Sequence, residues 1–412
     1  MTATAGTSTG RSTGWFPVAR ATEVGTTPVP VGAGGRAYVV VRLRPGGEVS
    51  AFPARCPHRL VPLAAGAVVG GRLQCPYHGW RFDADGRCVD VPSLGPDGSP
   101  PPRADLPVPW AVEERHGWVW LAPERTVVAL PPAPAAEPVP EPAPAPGPPP
   151  GPVFGNLDPS LEHAWHPVAL SRELRPGGWL QVRLLGRTWA LSRGADGLSA
   201  DPPAWGVRER FGVVWLAPAE PRDVPLELPE DGDRRFVRGW LTPVRSAGPA
   251  GPLADALLDP THGPFVHGDP EDGAPAPEVT PEPGGFTSVR EQGATVATAV
   301  HRAPFQLRRR LESPASGAAT TTLFLLQPED ADSTRVHACV LLRAGHGEPL
   351  PGPDVVAAEV ARTQRALAED LELQAQLAST GLPLSARDEL HVRSDRHGLA
   401  LRRALADFAA GR

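Results

Sequence analysis

Two cysteines and two histidines form two short clusters near the start of the chain. Cys56 and His58 make a C-x-H pair, and Cys75 and His78 make a C-x-x-H pair after a gap of 16 residues. Zinc ribbons and fingers usually pair their ligands as C-x2-C or H-x3–5-H. One thiolate and one imidazole from each cluster instead suit a two-iron cluster in which one iron binds both cysteines and the other both histidines. Structural zinc is the alternative.

A second set of possible metal ligands lies in "LLDPTHGPFVH", which contains Asp259, His262 and His267. Two imidazoles placed around a bend can take adjacent positions on an iron. One carboxylate would complete a 2-His-1-carboxylate site with positions left for O2 and substrate. We expect that carboxylate to come from a distant segment, and "ALAEDLELQAQ" offers three candidates, Glu369, Asp370 and Glu372.

The composition limits the classes of partner. The 412 residues have a net charge of −6 and no basic cluster beyond "RRR" at 308–310, which we interpret as a solvated strand or turn. This balance argues against nucleic-acid binding. The N-terminus lacks the apolar core of a signal peptide, and no segment is long and apolar enough to span a membrane. Four cysteines in such a chain favour thiolate ligands over disulfides, so we expect a cytoplasmic protein.

Proline-rich segments and an internal repeat divide the chain. "PPAPAAEPVPEPAPAPGPPPGP" at 131–152 predicts an extended linker. "WFPVARATEV" from Trp15 resembles "WHPVALSREL" from Trp165, and "WAVEERHGWVWLAP" from Trp110 resembles "WGVRERFGVVWLAP" from Trp205. The landmarks are 95 residues apart in the first copy and 40 in the second. We therefore predict two small β-domains, of which the second lacks about 55 residues that include the cysteine and histidine clusters.

The last part of the chain mixes helices and strands. "GPLADALLDPTHGPFVH" predicts a helix with a bend after Asp259, and "TTTLFLLQPEDADSTRVHACVLLR" predicts a β-hairpin. "PDVVAAEVARTQRALAEDLELQAQLAST" and "DRHGLALRRALADFAA" predict two further helices. We interpret the remaining cysteines and histidines as structural or solvated residues without a metal role; these are Cys88, Cys339 and the eight other histidines.

Both metal-binding patterns resemble one family. "CPYHGWRFDADGRCVDVP" resembles the Rieske [2Fe–2S] motif, and "LLDPTHGPFVH" with the C-terminal "DELHVRSDRHGLALRRALADF" resembles Rieske non-heme iron oxygenase α-components of the vanillate demethylase and phthalate dioxygenase type. The resemblance implies an α+β fold with an N-terminal all-β Rieske domain, a second cluster-less Rieske-like β segment and a C-terminal helix-grip-like catalytic domain. The implied divisions are a flexible tail at 1–14, the Rieske domain at 15–125, a Pro/Ala-rich linker at 126–153, the degenerate β-domain at 154–222 and the catalytic domain at 223–412.

The resemblance also assigns residues. It implies a [2Fe–2S] cluster on Cys56, His58, Cys75 and His78, and a mononuclear Fe(II) on His262, His267 and Asp370. Glu369 and Glu372 are then interpreted as a solvated helix face. Asp259 would act in catalysis by linking His78 of one chain to His262 of another, which implies a homotrimer or a multiple of it. Many relatives have Asn or a similar polar residue at the position of Ala256, so this chain lacks one supporting hydrogen bond that the resemblance would otherwise imply.

The implied function is the oxidation of a small aromatic or specialised-metabolite substrate with O2 and electrons from NAD(P)H. A reductase would deliver these electrons, directly or through a ferredoxin. Hydroxylation and demethylation are the expected reactions. Desaturation, oxidative cyclisation or N-oxygenation at the same metal centres is one alternative. An electron-transfer protein with an inactive catalytic domain is another, and the intact Asp259, His262 and His267 set argues against it.

Overall fold

Antiparallel strand pairs dominate this computed structural model, which describes residues 14–144, 151–270, 273, 275–377, 379–387 and 389–412. The chain forms two compact units, 1–147 and 148–412. The division between them falls inside the predicted linker at 126–153. The predicted tail lies outside the described residues except for Gly14, so it stays a prediction. The α+β fold class is confirmed, because antiparallel sheets are accompanied by a few helices.

The first unit contains small antiparallel sheets with the strand orders β1-β10-β9, β2-β3-β4 and β5-β6-β7-β8. Its apolar strand β3 is buried on both sides, since Val39, Val40 and Val41 are all fully shielded from solvent. The strands are β1 (Phe16–Arg20), β2 (Val29–Ala33), β3 (Arg36–Arg42), β4 (Val49–Pro53), β5 (Ala67–Val69), β6 (Arg72–Gln74), β7 (Arg81–Phe82), β8 (Cys88–Asp90), β9 (Ala111–Arg115) and β10 (Trp118–Ala122).

The Pro/Ala-rich segment after β10 is extended and partly attached to the first unit. The indole Nε1 of Trp15 donates to the carbonyl of Val128 at 2.7 Å. Further along, Glu141 forms an isolated bridge with Gly32, and Glu137 forms an ion pair with Arg20. Up to residue 144 the segment therefore has fixed contacts, whereas residues 145–150 of the predicted linker lie outside the described residues.

The second unit begins with sheets of the orders β12-β17-β16 and β13-β14-β15. Strand β12 pairs with β17 as β1 pairs with β10, and both pairs contain an irregularity at the same step, Pro167/Ala169 and Pro17/Ala19. The strands are β11 (Val153–Phe154), β12 (His166–Leu170), β13 (Trp179–Leu184), β14 (Arg187–Gly194), β15 (Gly197–Asp201), β16 (Gly206–Arg210) and β17 (Val213–Ala217). The two segments therefore share their strand pairing.

Side-chain hydrogen bonds repeat as well. Trp120 Nε1 donates to the carbonyl of Arg115 at 2.9 Å, and Trp215 Nε1 donates to the carbonyl of Arg210 at 3.1 Å. Each copy also has an arginine that bonds a glutamate of the neighbouring sheet, as Arg193 does with Glu209 at 2.7 Å and Arg42 with Glu114 at the same distance. The repeated sequence thus encodes repeated tertiary contacts.

A large antiparallel sheet with the order β18-β25-β24-β23-β22-β21-β20 follows, and β19 also pairs with β25. The predicted hairpin is β24 and β25, and the predicted helices are present. The strands are β18 (Val237–Trp240), β19 (Val244–Ser246), β20 (Glu278–Glu282), β21 (Gly285–Gln292), β22 (Thr295–Arg302), β23 (Gln306–Glu312), β24 (Ala319–Asp330), β25 (Ser333–Arg343) and β26 (Leu382–Pro383). The helices are α1 (Ala250–Leu258), α2 (Gly263–Val266), α3 (Pro353–Gln374) and α4 (Arg396–Ala409).

The two faces of this sheet are covered by different elements. On one face, Phe324 and Val340 share an apolar cluster with Leu253 of α1, Leu367 of α3 and Leu405 of α4. On the other face, the sheet packs against the shorter β segment through a cluster whose members include Trp165, Trp215, Leu323, Leu325 and Cys339. The segments 154–222 and 223–412 thus pack together within one unit, and their division into separate domains stays a prediction.

Among the described residues, no helix has both the length and the apolar character that crossing a bilayer requires.

Buried histidines of the second unit predict a loss of stability in acid. Burial lowers the pKa of His166 and His301 to about 4 and that of His337 to about 3. Below pH 6.5 the unfolded chain takes up protons that these folded side chains do not accept until about pH 4, so the free energy of unfolding falls as pH falls through this window. From pH 7 to 5 we expect a loss of about 2 kcal/mol for each histidine.

Urea unfolding followed by tryptophan fluorescence at pH 7 and pH 5 tests this expectation. In His337→Gln the amide can still donate to Gln327 Oε1, which accepts from His337 Nε2 at 2.8 Å in the native chain. We expect this variant to lose less stability between the two pH values than the wild type does. An equal loss in both proteins would contradict the assignment of His337.

Candidate metal centres

The first candidate centre is formed by two turns of the same construction. Cys56 begins a turn in which the N–H of Leu60 donates to the carbonyl of Cys56 at 3.0 Å. Cys75 begins a turn in which the N–H of Gly79 donates to the carbonyl of Cys75 at 3.2 Å. Leu60 and Gly79 both have positive φ, 56° and 68°. Glycine adopts this conformation easily, whereas leucine adopts it at a cost, so the first turn is the more strained of the two.

The four side chains of these turns are buried and lie together. Cys56, Cys75, His58 and His78 have exposed fractions of 1%, 1%, 2% and 3%. The rings of His58 and His78 have centroids 4.4 Å apart, and the two thiols are within hydrogen-bonding distance of each other without forming a disulfide. Two sulfur and two nitrogen donors therefore converge, which is the donor set of a mixed-ligand two-iron cluster.

Backbone N–H groups support the sulfur atoms. The N–H of His58 faces Cys56 Sγ, and the N–H groups of Tyr77 and His78 face Cys75 Sγ. In this pair burial raises the pKa of the Cys56 thiol, whereas a hydrogen bond from Cys56 lowers the pKa of Cys75. N–H donors directed at sulfur stabilise thiolates and tune the potential of a cluster that binds them.

Trp80 was not identified from the sequence as part of this centre. Its indole is fully buried and stacks on the ring of His58, with centroids 4.6 Å apart and an interplanar angle of 10°. A histidine held flat against a rigid aromatic ring loses rotational freedom. Trp80 therefore fixes the orientation of His58.

The second candidate centre is built where α1 ends. The side chain of Asp259 accepts hydrogen bonds from the N–H and Oγ1 of Thr261, both at 2.7 Å, and Pro260 prevents the helix from continuing. The one-turn helix α2 follows, with His262 immediately before it and His267 immediately after it. This bend directs both imidazoles toward the same point.

Helix α3 supplies the third group. Asp370 Oδ1 lies 3.2 Å from His262 Nε2 and 3.3 Å from His267 Nε2, and the two Nε2 atoms are 3.2 Å apart. Ligands at adjacent octahedral positions about 2.1 Å from a metal lie about 3 Å apart. The three donor atoms therefore form a nearly equilateral triangle that fits one face of an octahedral metal ion. The structure brings together the two predicted histidines and the predicted aspartate.

The charge state of this triangle favours a cation. Burial would raise the pKa of Asp370, but hydrogen bonds with His262 and His267 outweigh burial and hold that pKa at about 2. The hydrogen bond with Asp370 is the main cause of a raised pKa at His267. Asp370 is thus a buried carboxylate that stays ionised at neutral pH and attracts positive charge.

Glu369 lies on an exposed helix face, as expected, but it also contacts this centre, which the sequence did not predict. Its Oε2 lies 2.7 Å from Nδ1 of His267, although its side chain is 45% exposed. A carboxylate on the far nitrogen of a metal-binding imidazole fixes both the tautomer and the ring orientation. Glu372 is exposed on the same helix, as expected.

The remaining cysteines are buried thiols. Cys88 lies in β8 and Cys339 in β25, and burial raises the pKa of each to about 12. Thiols with such a pKa are poor nucleophiles and poor metal ligands at neutral pH. Neither is grouped with other ligands among the described residues.

Two protein-family models match parts of the chain. Residues 14–109 match the Rieske [2Fe–2S] domain, and residues 278–411 match the vanillate O-demethylase oxygenase C-terminal domain. The cysteine–histidine centre lies in the first match and Asp370 in the second, whereas His262 and His267 lie between the two matches. The cofactors of this chain are therefore a Rieske-type [2Fe–2S] cluster and a mononuclear iron.

Curated relatives match over short segments. The chain is 37% identical over 121 residues to the 3-chlorobenzoate-3,4-dioxygenase oxygenase subunit of Comamonas testosteroni, covering 28% of each chain. It is 42% identical over 91 residues to the dicamba O-demethylase oxygenase component of Stenotrophomonas maltophilia, covering 22% of this chain and 26% of the relative. The matched parts thus span less than a third of these relatives. A solved structure of the Pseudomonas putida CBB5 NdmA QL mutant with theobromine aligns over 96% of this chain and 90% of its own, with 18% identity and a TM-score of 0.43.

Glu369 provides a test of the second centre. In Glu369→Gln the hydrogen bond to His267 loses its charge, so we expect the affinity for Fe(II) to fall by about tenfold or more. Glu372→Gln is the matched control, because it removes the same charge from an exposed position of the same helix and should leave the affinity unchanged. Anaerobic competition with a coloured iron chelator measures both. Equal affinities in the two variants would show that Glu369 does not position His267.

Proposed function

We propose that this chain, which belongs to the Rieske non-heme iron oxygenases, is the oxygenase component of an enzyme that oxidises a small aromatic or specialised-metabolite substrate with O2 and electrons from NAD(P)H. Hydroxylation or demethylation is the proposed reaction. The observation that carries the proposal is the triangle of His262, His267 and Asp370 in a chain that also contains a buried two-cysteine, two-histidine centre.

Cys56 and Cys75 are proposed to bind one iron of the cluster, and His58 and His78 the other. Burial of all four side chains excludes water, and the N–H groups of the two turns stabilise the sulfur ligands. Because two of the ligands are neutral imidazoles, the cluster bears less negative charge than an all-thiolate cluster and has a higher potential.

His262, His267 and Asp370 are proposed to bind the mononuclear iron. One cluster supplies single electrons, and the mononuclear iron supplies O2 activation. The chain itself contributes a three-ligand face that leaves other coordination positions open, a carboxylate that is ionised before metal binds, and a Glu369 contact that orients His267. Near-complete burial of His262 and Asp370 keeps bulk water away from two of the ligands.

The proposed partner is a reductase that delivers the electrons, directly or through a ferredoxin. One match is to the oxidoreductase NdmD of Pseudomonas putida, 41% identical over 75 residues. A reducing, cytoplasmic location suits a chain with thiolate ligands and free cysteines. We further propose a homotrimer or a multiple of it, in which Asp259 connects His78 of one chain to His262 of another.

The segment 154–222 is proposed to be a second Rieske-like β-domain without cluster ligands. Three observations support this proposal: the strand pairing of the first copy, the shared irregularity, and the repeated tryptophan and arginine hydrogen bonds. The position of His166 in β12 corresponds to Phe16 in β1. The remaining role of this segment is to cover one face of the large sheet.

Iron quantitation tests the metal assignments. We expect about three iron atoms and two acid-labile sulfides per wild-type chain, and about two iron atoms in His262→Ala with the cluster spectrum unchanged. His163→Ala is the matched control, since the imidazole of His163 has the carbonyl of Glu220 as its one hydrogen-bond partner among the described residues, and this variant should keep its iron. Unchanged iron and unchanged O2 consumption in His262→Ala would contradict the oxygenase assignment. Four acid-labile sulfides per chain would contradict a cluster-less second domain.

Light scattering during gel filtration tests the assembly. We expect a mass close to three, or a multiple of three, times that of one chain.

In Asp259→Asn we expect the iron content to be kept while substrate oxidation falls, because an amide cannot accept hydrogen bonds from two imidazoles as a carboxylate does. Full activity in Asp259→Asn would contradict the proposed link between chains.

A further inference from the structure

The end of helix α1 is held by side chains from other elements. In a continuing helix, the carbonyls of Leu257 and Leu258 would each bind the N–H group four residues further along the chain. Pro260 interrupts the helix, and the N–H of Thr261 donates to the side chain of Asp259 at 2.7 Å instead. The last two carbonyls of α1 therefore need hydrogen-bond donors from outside the helix.

Strand β23 supplies one of these donors. Successive side chains of a strand point to opposite faces of the sheet, so its three consecutive arginines separate. Arg308 and Arg310 both approach the buried Glu230, at 3.7 Å and 3.0 Å. Arg309 points to the other face, where its guanidinium donates to the carbonyl of Leu257 at 3.2 Å. The expectation of a solvated triplet is therefore wrong for Arg308 and Arg310.

Helix α4 supplies the other donor, His397. Its Nδ1 lies 2.7 Å from the carbonyl oxygen of Leu258, and its Nε2 lies within hydrogen-bonding distance of Ser288 Oγ in β21. Because a carbonyl oxygen can only accept, Nδ1 carries the hydrogen and Nε2 accepts from the serine hydroxyl. This arrangement requires a neutral imidazole. Burial lowers the pKa of His397 below its usual value, so the ring is neutral at pH 7.

The ring of His397 is fixed in place. The residue is 5% exposed, and its imidazole stacks on the ring of Phe286 with centroids 5.9 Å apart and an interplanar angle of 21°. The two ring nitrogens have partners on two different elements, α1 and β21. An imidazole restrained in this way ties the end of α1 to both α4 and the large sheet.

The end of α1 lies close in sequence to two of the candidate metal ligands. Leu258 is four residues before His262, and the turn between them is closed by two side-chain hydrogen bonds of 2.7 Å. The one-turn helix α2 then leads to His267. Asp370 is supplied by α3, a separate element. A displacement of the carbonyl of Leu258 would therefore move both imidazoles relative to the carboxylate.

We infer that His397 is a positioning residue for this metal centre. By binding the carbonyl of Leu258, it holds His262 and His267 where Asp370 completes the triangle. This inference rests on the proposed function, because it takes these three side chains as the ligands of the mononuclear iron. His397 is not itself a ligand, since both of its nitrogens have other partners. Without its support, metal binding would have to order the two histidines, and the affinity for Fe(II) would fall.

Two amide variants separate the hydrogen bond to Leu258 from the packing of the ring. The side-chain nitrogen of asparagine can take the place of Nδ1, whereas that of glutamine can take the place of Nε2. His397→Asn therefore keeps the bond to the carbonyl of Leu258, and His397→Gln loses it. We expect the affinity for Fe(II) to fall by about fivefold or more in His397→Gln and by less than about twofold in His397→Asn. Anaerobic competition with a coloured iron chelator measures both.

His301→Asn is the matched control. His301 is a buried histidine that also contacts the ring of Phe286, and its Nε2 donates to a backbone carbonyl, that of Pro304, at 3.1 Å. An asparagine side chain is too short to reach this carbonyl. We therefore expect a lower melting temperature in His301→Asn, with an affinity for Fe(II) equal to that of the wild type.

Equal affinities for Fe(II) in His397→Gln and His397→Asn would overturn the inference, because these variants differ in the bond to Leu258. An equal loss of affinity in His301→Asn would overturn it too, since metal binding would then follow general stability. A lower melting temperature of His397→Gln with wild-type affinity would assign His397 to the stability of the fold alone. A wild type without mononuclear iron would overturn the proposed function as well, whereas the other outcomes leave that function intact.

Discussion

The second candidate metal centre depends on holding three donor atoms within about 3 Å of one another when two of them are more than 100 residues from the third in sequence. The histidines meet because α1 stops at Asp259 and a single helical turn separates His262 from His267. Asp370 reaches them because α3 lies flat on the sheet. Close approach of this helix is possible over Gly239, where a Cβ would come within 2.6 Å of Val360.

The same geometry sets the electrostatics of the centre. A carboxylate buried between two imidazoles remains ionised, and its hydrogen bond to His267 raises the pKa of that imidazole. Removing one partner would leave a buried charge, which is costly in a medium of low polarity. The three candidate ligands therefore stabilise one another before any metal binds, and Glu369 extends this network to the surface of the protein.

The two β segments share their strand pairing, and the first segment also contains the cysteine–histidine turns. Both have the same pairing of the strands that carry "WVWLA" and "VVWLA" and the same tryptophan and arginine hydrogen bonds. The cysteine–histidine turns of the first segment lie between β4 and β7, in residues for which the second segment has no counterpart. The second segment has the shared strand pairing without these turns, and it covers the face of the large sheet opposite to helices α1, α3 and α4.

The sequence alone determined the parts of this protein that are local. The four residues of the first centre lie within 23 residues of sequence, so their spacing alone predicts a mixed-ligand cluster; they are Cys56, His58, Cys75 and His78. The bend at Asp259 is likewise predicted from residues that are neighbours in the sequence. Asp370 was chosen over its acidic neighbours by resemblance alone. The tertiary structure decided their surroundings, because the pitch of α3 places Asp370 inside, Glu369 at the edge and Glu372 outside. The tertiary structure also gives Arg309 different surroundings from the arginines on either side. Successive side chains of a strand point to opposite faces of the sheet, and helices pack on the face to which Arg309 points.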